Sequence, residues 1–431
     1  MPEKRKSTTP VKLATINFMQ HFQCIGSDCE DTCCRMWEIG LDKGDFDNLN
    51  TVLRKKESMQ AYINAYSRTR DRKDIYGVIN LDAKMSCRLL TDGLCMIHRD
   101  FGEEYIPKVC ATFPRTLYKT SVRTELNGNL ACPEVARLCL LHPDPPAFME
   151  AVATPVNPQY SQNNWPVQGQ EPYRKHLFSV RNSLLRLFAN ENFTLAQKHY
   201  ACLYLAYKTH AFLRLDIAEN QETRLERLLK RLHDGYYTER AIQAYNRLPL
   251  CSPSIQKLVI AFLCTNLDTP QFHRLNALLD QAFQTANLDR RLFDATNTAH
   301  HRVLLENLYK SRALILDRFA ARVEKYFTNM TLNIWSQIVW MGSSSLHECC
   351  QKAITSVFFA RLLFFLHRDA VQAVKLEDAE ALPLLNKAVV ETVQTVMRNI
   401  HANATLQETI LNSMQKLSIQ TLDELGSLLK L

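Results

Sequence analysis

Nine of the chain's 14 cysteines fall between positions 24 and 139: Cys24, Cys29, Cys33, Cys34, Cys87, Cys95, Cys110, Cys132 and Cys139. The stretch QCIGSDCEDTCCRMW, residues 23–37, carries four of them in the order C-x4-C-x3-C-C, and Cys87 and Cys95 follow as C-x7-C. Thiolates are soft ligands that suit zinc, cuprous copper and iron–sulfur clusters. A four-ligand site needs converging sulfurs, at about 2.3 Å from the metal in the case of zinc. Cys29 and Cys33, four apart, can share one side of a helical turn. Gly26 and Ser27 let the chain turn between Cys24 and Cys29. The remaining ligands must come from the second group, folded back over the first. Eight or nine thiols exceed one tetrahedral site, so two metal centres are expected, or one centre with spare or redox cysteines. Spacing does not name the metal, because it matches neither the paired C-x2-C of a zinc ribbon nor the C-x4-C-x2-C of a plant-type ferredoxin. Free cysteine is also a common core residue. That reading suits the scattered Cys202, Cys251, Cys264, Cys349 and Cys350.

Compartment bears on the choice. The basic start MPEKRKSTTPVKLATINF lacks the apolar core and cleavage site of a signal peptide. The most apolar run, ITSVFFARLLFFL (354–366), includes Arg361 and is shorter than the roughly 20 residues that a spanning helix needs. A cytoplasmic protein without a membrane span is expected. In a reducing cytosol, clustered cysteines read as metal ligands or catalytic groups rather than disulfides. The net charge of +8 is spread as +2 over residues 1–145 and +6 over the rest. That is too diffuse for the basic stripe of a nucleic-acid binder, so no nucleic-acid partner is expected.

The elements that must position these thiols follow from composition and periodicity. Apolar residues make up 46% of the chain, enough for one large or two to three ordinary domains. Only 11 glycines, where about 7% is usual, argue against a turn-rich β protein and against phosphate loops. Residues 143–172 hold seven of the sixteen prolines and read as an irregular connection. Beyond it, apolar side chains recur at three and four over 173–189, 195–215, 224–233, 303–327, 353–366, 384–399 and 405–430, the period of helices with one buried stripe. Before it, residues 45–66 look helical and YGVINL (76–81) looks like a short strand, with loops and short helices around the cysteines. The expected fold is therefore mainly α. A small cysteine-rich metal-binding domain (1–142, α with little β) and a proline-rich connection (143–172) precede an all-helical C-terminal domain (173–431).

The segment CRLLTDGLCMIHRDFGEEYIPKVCATFPRTLY, residues 87–118, resembles the second half of the cysteine-rich CxxCxxCC domain, a zinc- or iron-chelating family. The matching positions are Cys33-Cys34, Cys87, Cys95 with Ile97, and Pro107, Cys110, Phe113 and Pro114, while the spacings of the first group are longer than the family name states. More fully, the early CIGSDCEDTCCRMWEIGLD, the later LACPEVARL (130–138) and the long helical tail resemble the flagellin lysine-N-methylase family. The resemblance implies methylation of lysine ε-amino groups on flagellin, with S-adenosylmethionine as donor and an iron–sulfur cluster, [4Fe–4S], as cofactor; zinc is the alternative metal. It makes Cys24, Cys29, Cys33, Cys34, Cys87, Cys95, Cys110 and Cys132 the ligand candidates, with Cys139 outside the matching motif.

No motif places the donor. The glycine-rich strand–loop–helix of nucleotide-binding methyltransferases is absent, and Met36 stands where radical S-adenosylmethionine enzymes have the third cysteine of C-x3-C-x2-C. Arg115 is the candidate for holding the donor's carboxylate. No residue is assigned a catalytic role. Glu30, Asp31, Glu103, Glu104, Tyr105 and Tyr118 lie near the motifs but equally suit surface or capping positions, and His98 suits a ligand or a structural hydrogen bond. The helical region is a candidate surface for the substrate protein, with Trp335 and Trp340 around WSQIVWMG as its interface. Two other classes fit the cysteines: a metal-binding module without catalysis, and a redox or electron-transfer protein.

Overall fold

Around the cysteines, short polar strands carry more of the fold than the sequence suggests. The computed structural model describes residues 10–53, 64–72, 75–119, 123–154, 156, 160, 162–164, 177–213, 230, 236–249, 252–294, 296–337 and 346–431. The chain divides into two compact units: Met1–Leu138 with Ala147–Trp165 and Asp268–His273, and Cys139–Pro146 with Pro166–Leu267 and Arg274–Leu431.

The first unit contains β1 (Val11–Thr15), β2 (Ile39–Leu41), α1 (Lys43–Leu53), β3 (Tyr66–Arg68), β4 (Gly77–Ile79), β5 (Leu90–Thr91), β6 (Leu94–Cys95), α2 (Met96–Phe101), α3 (Lys108–Thr112), β7 (Arg115–Lys119), β8 (Thr124–Gly128), the start of α4 (Pro133–Leu141), β9 (Val152–Thr154) and β10 (Gln162–Asn164). The main sheet runs β10-β7-β8-β1-β9, with β1 parallel to β8, β10 parallel to β7, and the other pairs antiparallel. A three-stranded sheet, β2-β4-β3, and the β5-β6 hairpin complete it. Three expectations change here. The region holds three sheets rather than little β. The proline-rich stretch supplies β9 and β10, the two edges of the main sheet. The helix expected over 45–66 gives way at Tyr66 to β3 (residues 54–63 lie outside the described residues), whereas β4 lies in the expected YGVINL.

β8, TELNG, shows why periodicity missed this sheet. Its Thr124, Glu125 and Asn127 are polar yet buried, because β8 lies between two strands. Arg123 answers the buried Glu125 carboxylate at 2.8 Å.

The second unit is helical: α5 (Leu177–Ala189), α6 (Leu195–Leu213), α7 (Tyr236–Asn246), α8 (Pro253–Leu263), most of α9 (His273–Thr285), α10 (Thr298–Gln337), α11 (Leu346–Phe365), α12 (Arg368–Ala373), α13 (Asp378–Val396), α14 (Ala404–Lys416) and α15 (Leu422–Leu428). The expected helix over 405–430 is broken at Ser418, whose φ of 61° is the left-handed conformation that ends helices. The helix expected over 224–233 lies outside the described residues except at Lys230. α11, which carries most of ITSVFFARLLFFL, is buried on almost every side, as a helix apolar all round requires. Its half-buried Arg361 lies over the rings of Phe327 and Phe365, each 5.5 Å away. Among the described residues no helix is long and apolar enough to cross a membrane. Trp335 is fully buried and stacks on Phe188 with centroids 5.9 Å apart, so it is a core residue and not the interface expected of it. Trp340 lies outside the described residues.

Candidate functional site

The thiols are positioned by backbone pairing and by small residues that let loops dock. Cys34 and Cys87 are brought together by an antiparallel bridge, with the Cys87 N–H donating to the Cys34 carbonyl (2.8 Å) and Met36 N–H to the Met85 carbonyl (2.8 Å). The β5-β6 hairpin pairs Leu90 with Cys95, and Cys95 caps the start of α2. Cys110 lies in α3, which is tied to α1 by the Lys108 N–H on the buried Asp45 carboxylate (3.2 Å). The loop carrying Cys24 and Cys29 lies on the hairpin through Gly26 and Gly93. Both have positive φ (59° and 77°), and a Cβ on either would stand 3.2–3.3 Å from the facing residue. Cys132 opens α4, its carbonyl accepting the Ala136 N–H at 2.9 Å. Arg137, one turn further on, bridges Glu134 and Glu30, which ties the first cysteine loop to the start of α4.

All eight expected ligand cysteines line one cavity of about 280 Å³. Cys139 does not. It belongs to the second unit, buried, with its thiol donating to the Asn329 carbonyl (3.5 Å). Of the scattered cysteines, Cys202 and Cys350 are also core residues, 3.8 Å apart from carbonyl to sulfur. Cys251 lies outside the described residues.

The cavity wall is largely apolar, from Phe22, Trp37, Leu89, Leu94 and Phe113, with Asp31, His98, Glu103, Glu134 and Arg115 as its charged or titratable additions. Arg115 is held between two rings, its guanidinium carbon 4.9 Å from the Phe22 centroid and 5.0 Å from that of Tyr160. Tyr118, further along β7, is raised to about 12 by burial. Among the described residues, no three cysteine, histidine or acidic groups are gathered into a ready-made metal site; the thiols ring the cavity instead.

Two opposed influences act on those thiols. Burial pushes Cys87 and Cys132 up to about 12, and raises Cys29, Cys95 and, most strongly, Cys110. Cys33 is raised first by its hydrogen bond with Cys34 and then by burial. Backbone N–H groups pull the other way. Leu89 donates to the Cys87 sulfur (3.4 Å), Val135 and Glu134 to that of Cys132, His98 and Ile97 to that of Cys95, and Asp31 to that of Cys29. Buried sulfurs that face N–H donors are fitted for the charged, metal-bound form.

Sequence reasoning singled out the eight cysteines, Asp31, His98, Glu103 and Arg115, all of which line this cavity. It missed the Glu30–Arg137–Glu134 bridge, for which the i,i+3 spacing of Glu134 and Arg137 was the available clue. It also missed Tyr160, which has none. Glu104 packs back toward Gly102, and Tyr105 lies in the apolar cluster beneath the site.

No protein-family model matches the chain, the CxxCxxCC domain included, and no solved structure matches it. It is 34% identical over 142 residues to the flagellar biosynthetic protein FliU of Salmonella muenchen, covering 31% of this chain and 79% of that protein. It is also 29% identical over 215 residues to the lysine-N-methylases of Salmonella choleraesuis (strain SC-B67) and Salmonella typhimurium (strain LT2), covering 47% of this chain. The alignment spans about half the length of these two methylases, 48%. At 34% identity over most of the length of FliU, the chain belongs to the family of that flagellar biosynthetic protein.

Proposed function

We propose that this chain is a protein-lysine N-methyltransferase that methylates flagellin lysines with S-adenosylmethionine, at a cavity whose cysteines hold an iron–sulfur cluster of the [4Fe–4S] type. The observation that carries the reading is the convergence of eight cysteines on one apolar cavity, in a chain similar to two lysine-N-methylases and to a flagellar protein. The donor set suits the cofactor, being all thiol, with backbone N–H groups facing the sulfurs of Cys29, Cys87, Cys95 and Cys132. The size suits it too. At about 30 Å³ of liquid volume per water, 280 Å³ holds on the order of nine waters, more than one ion needs. Around zinc, sulfurs would stand about 3.8 Å apart, from the 2.3 Å bond and tetrahedral angles; a ring of thiols around a larger space fits a polynuclear group better. A bound cluster supplies Lewis-acidic iron for the amino-acid end of the donor.

The chain's own residues do the rest. A lysine amine attacks only when neutral, against a free pKa of about 10.4, and the apolar wall of Phe22, Trp37, Leu94 and Phe113 favours the neutral form by desolvation. Arg115, whose guanidinium lies against the rings of Phe22 and Tyr160, pairs with the donor carboxylate. The lysine nitrogen attacks the methyl carbon, and the sulfur–methyl bond breaks to leave S-adenosylhomocysteine. The new ammonium then gives a proton to Asp31 or Glu103 of the same wall. Nitrogen, carbon and sulfur must lie near a line, and positioning them supplies much of the rate.

The test uses anaerobically purified full-length protein, flagellin and methyl-labelled donor, with the label located by peptide mass spectrometry. Label on flagellin lysines is expected, lost in Arg115→Met and in cysteine variants that lose metal. Full transfer by protein stripped of iron and sulfide would remove the cluster from the reading. Donor left unconsumed by metal-loaded protein with flagellin would favour a metal module without catalysis.

A further inference from the structure

The eight cysteines are not one set. Cys34, Cys87, Cys95 and Cys110 belong to a single apolar cluster, packed with Ile39, Leu41, Leu49, Leu89 and Ile97. Cys24, Cys29, Cys33 and Cys132 do not belong to it. The first four are fixed by the Cys34–Cys87 backbone pairing, the β5-β6 hairpin and α3. The second four come from the first cysteine loop and the start of α4, held to each other by the Arg137 bridge to Glu30 and Glu134. Cys33 stands at the border, hydrogen-bonded to Cys34 and acted on by both Cys110 and Cys24. Exposure differs at the extremes alone, Cys87 being buried and Cys24 exposed while the other six are half-buried.

We infer that the cysteines hold two centres of four sulfurs each: an enclosed one on Cys34, Cys87, Cys95 and Cys110, and an outward one on Cys24, Cys29, Cys33 and Cys132. The enclosed set has the character of a closed structural site, in which protein ligands fill every position. The outward set shares its side of the cavity with solvent through Cys24, which makes it the less enclosed of the two. The inference rests on the reading above only in assigning metal to the thiols.

The test compares full-length wild type with Cys29→Ser/Cys132→Ser and Cys87→Ser/Cys110→Ser, all purified without oxygen and reconstituted with ferrous iron and sulfide or with zinc. Iron, zinc and labile sulfide are counted per chain, low-temperature electron paramagnetic resonance is recorded after reduction, and circular dichroism checks the fold. Wild type is expected to carry two centres' worth of metal. The Cys29/Cys132 pair should lose one centre and keep the other in a folded chain, and Cys33→Ser should follow it. Wild type carrying one centre's worth would overturn the inference, as would a folded Cys29/Cys132 variant that loses all its metal or none. If the Cys87/Cys110 pair fails to fold, the outward pair decides alone. Metal counts need no turnover, so one centre in an active enzyme sinks this inference and spares the methylase reading, whereas two centres without methyl transfer do the reverse.

Discussion

Substituting Gly128 by alanine isolates how the main sheet fixes the start of α4. A Cβ there would stand 2.4 Å from Met19 Sδ, 2.7 Å from Val135 Cγ1 and 3.1 Å from Phe18 Cε2. All three side chains are buried, at 5%, 0% and 0% exposure respectively. Carbon atoms pack best at about 3.5–4.0 Å, so the new methyl overlaps Val135 by roughly 1 Å. Met19 can swing its thioether away, but Val135 is β-branched and has essentially one helical rotamer. β8 cannot retreat, because Gly128 is in register with Arg115 on β7 and the next N–H, of Asn129, donates to the Pro114 carbonyl (2.8 Å). Overpacking of this kind costs about 1–3 kcal/mol. At about 2–4 °C per kcal/mol for a domain of this size, the expected fall in melting temperature of the first unit is roughly 2–12 °C. The assay is anaerobic thermal unfolding of the full chain, repeated for Val135→Ala and for the double variant. Because Val135→Ala removes the obstructing atoms, the double variant should be more stable than the two single losses added together by about 1 kcal/mol or more. A Gly128→Ala protein that melts with wild type, or a strictly additive pair, would refute the reasoning.

Other outcomes follow from the site and from the helical unit. Arg115→Lys keeps the charge and loses the fork. Removing hydrogen bonds to a charged group costs about 1.5–3 kcal/mol, so donor affinity by equilibrium dialysis should fall about 10- to 150-fold, and unchanged affinity would clear Arg115 of the role. Cys139→Ala should leave metal content untouched, since that thiol sits against Asn329 away from the cavity; a drop would reopen its place among the ligands. Burial holds His401 down to about 4 from 6.5. The unfolded chain therefore binds a proton below about 6.5 that the folded chain refuses until about 4, and stability present above 6.5 is lost as pH falls through that window, by on the order of 3 kcal/mol. His401→Asn should flatten that loss in urea titrations at pH 7 and 4.5, leaving the part due to His199, which burial lowers to about 3. An unchanged difference between the two pH values would show that His401 is not buried as described. Gly426→Ala, whose Cβ would meet the Tyr200 ring at 2.5 Å and Leu248 at 2.6 Å, should lower the melting temperature of the second unit by a similar overpacking cost.

What the sequence disclosed depended on whether one element's own residues carried the information. α5 announces itself, since it buries Val180, Leu184, Leu187 and Phe188 at helical spacing. β8 does not, because its burial comes from neighbouring strands far away in sequence and its buried residues are polar. β9 and β10 were hidden because each is only three residues long and lies in a stretch whose prolines read as an irregular connection. Trp335 misled because large aromatics favour interfaces as well as cores, and only the stack on Phe188 decides between them. At the site, residue type alone marked the thiols as candidate ligands. The proposed division into fours was not legible, since it hangs on the Cys34–Cys87 pairing and on an ion-pair bridge between residues 107 apart.

The strand order β10-β7-β8-β1-β9 sets a timetable for synthesis. β1 leaves the ribosome ahead of every partner it has, and its first partner, β8, begins at Thr124. At about 5–20 residues per second, Leu13 waits roughly 5–22 s for Thr124. The thiols keep the same schedule. Cys110 completes the enclosed four, and Cys132 follows roughly 1–4 s later at that pace to complete the outward four. Each new copy thus passes through seconds in which soft, nucleophilic sulfurs stand in solution beside a strand with no mate. Iron or zinc delivered at the pace of translation would meet the enclosed set first, and an oxidant present in the same interval would meet it too.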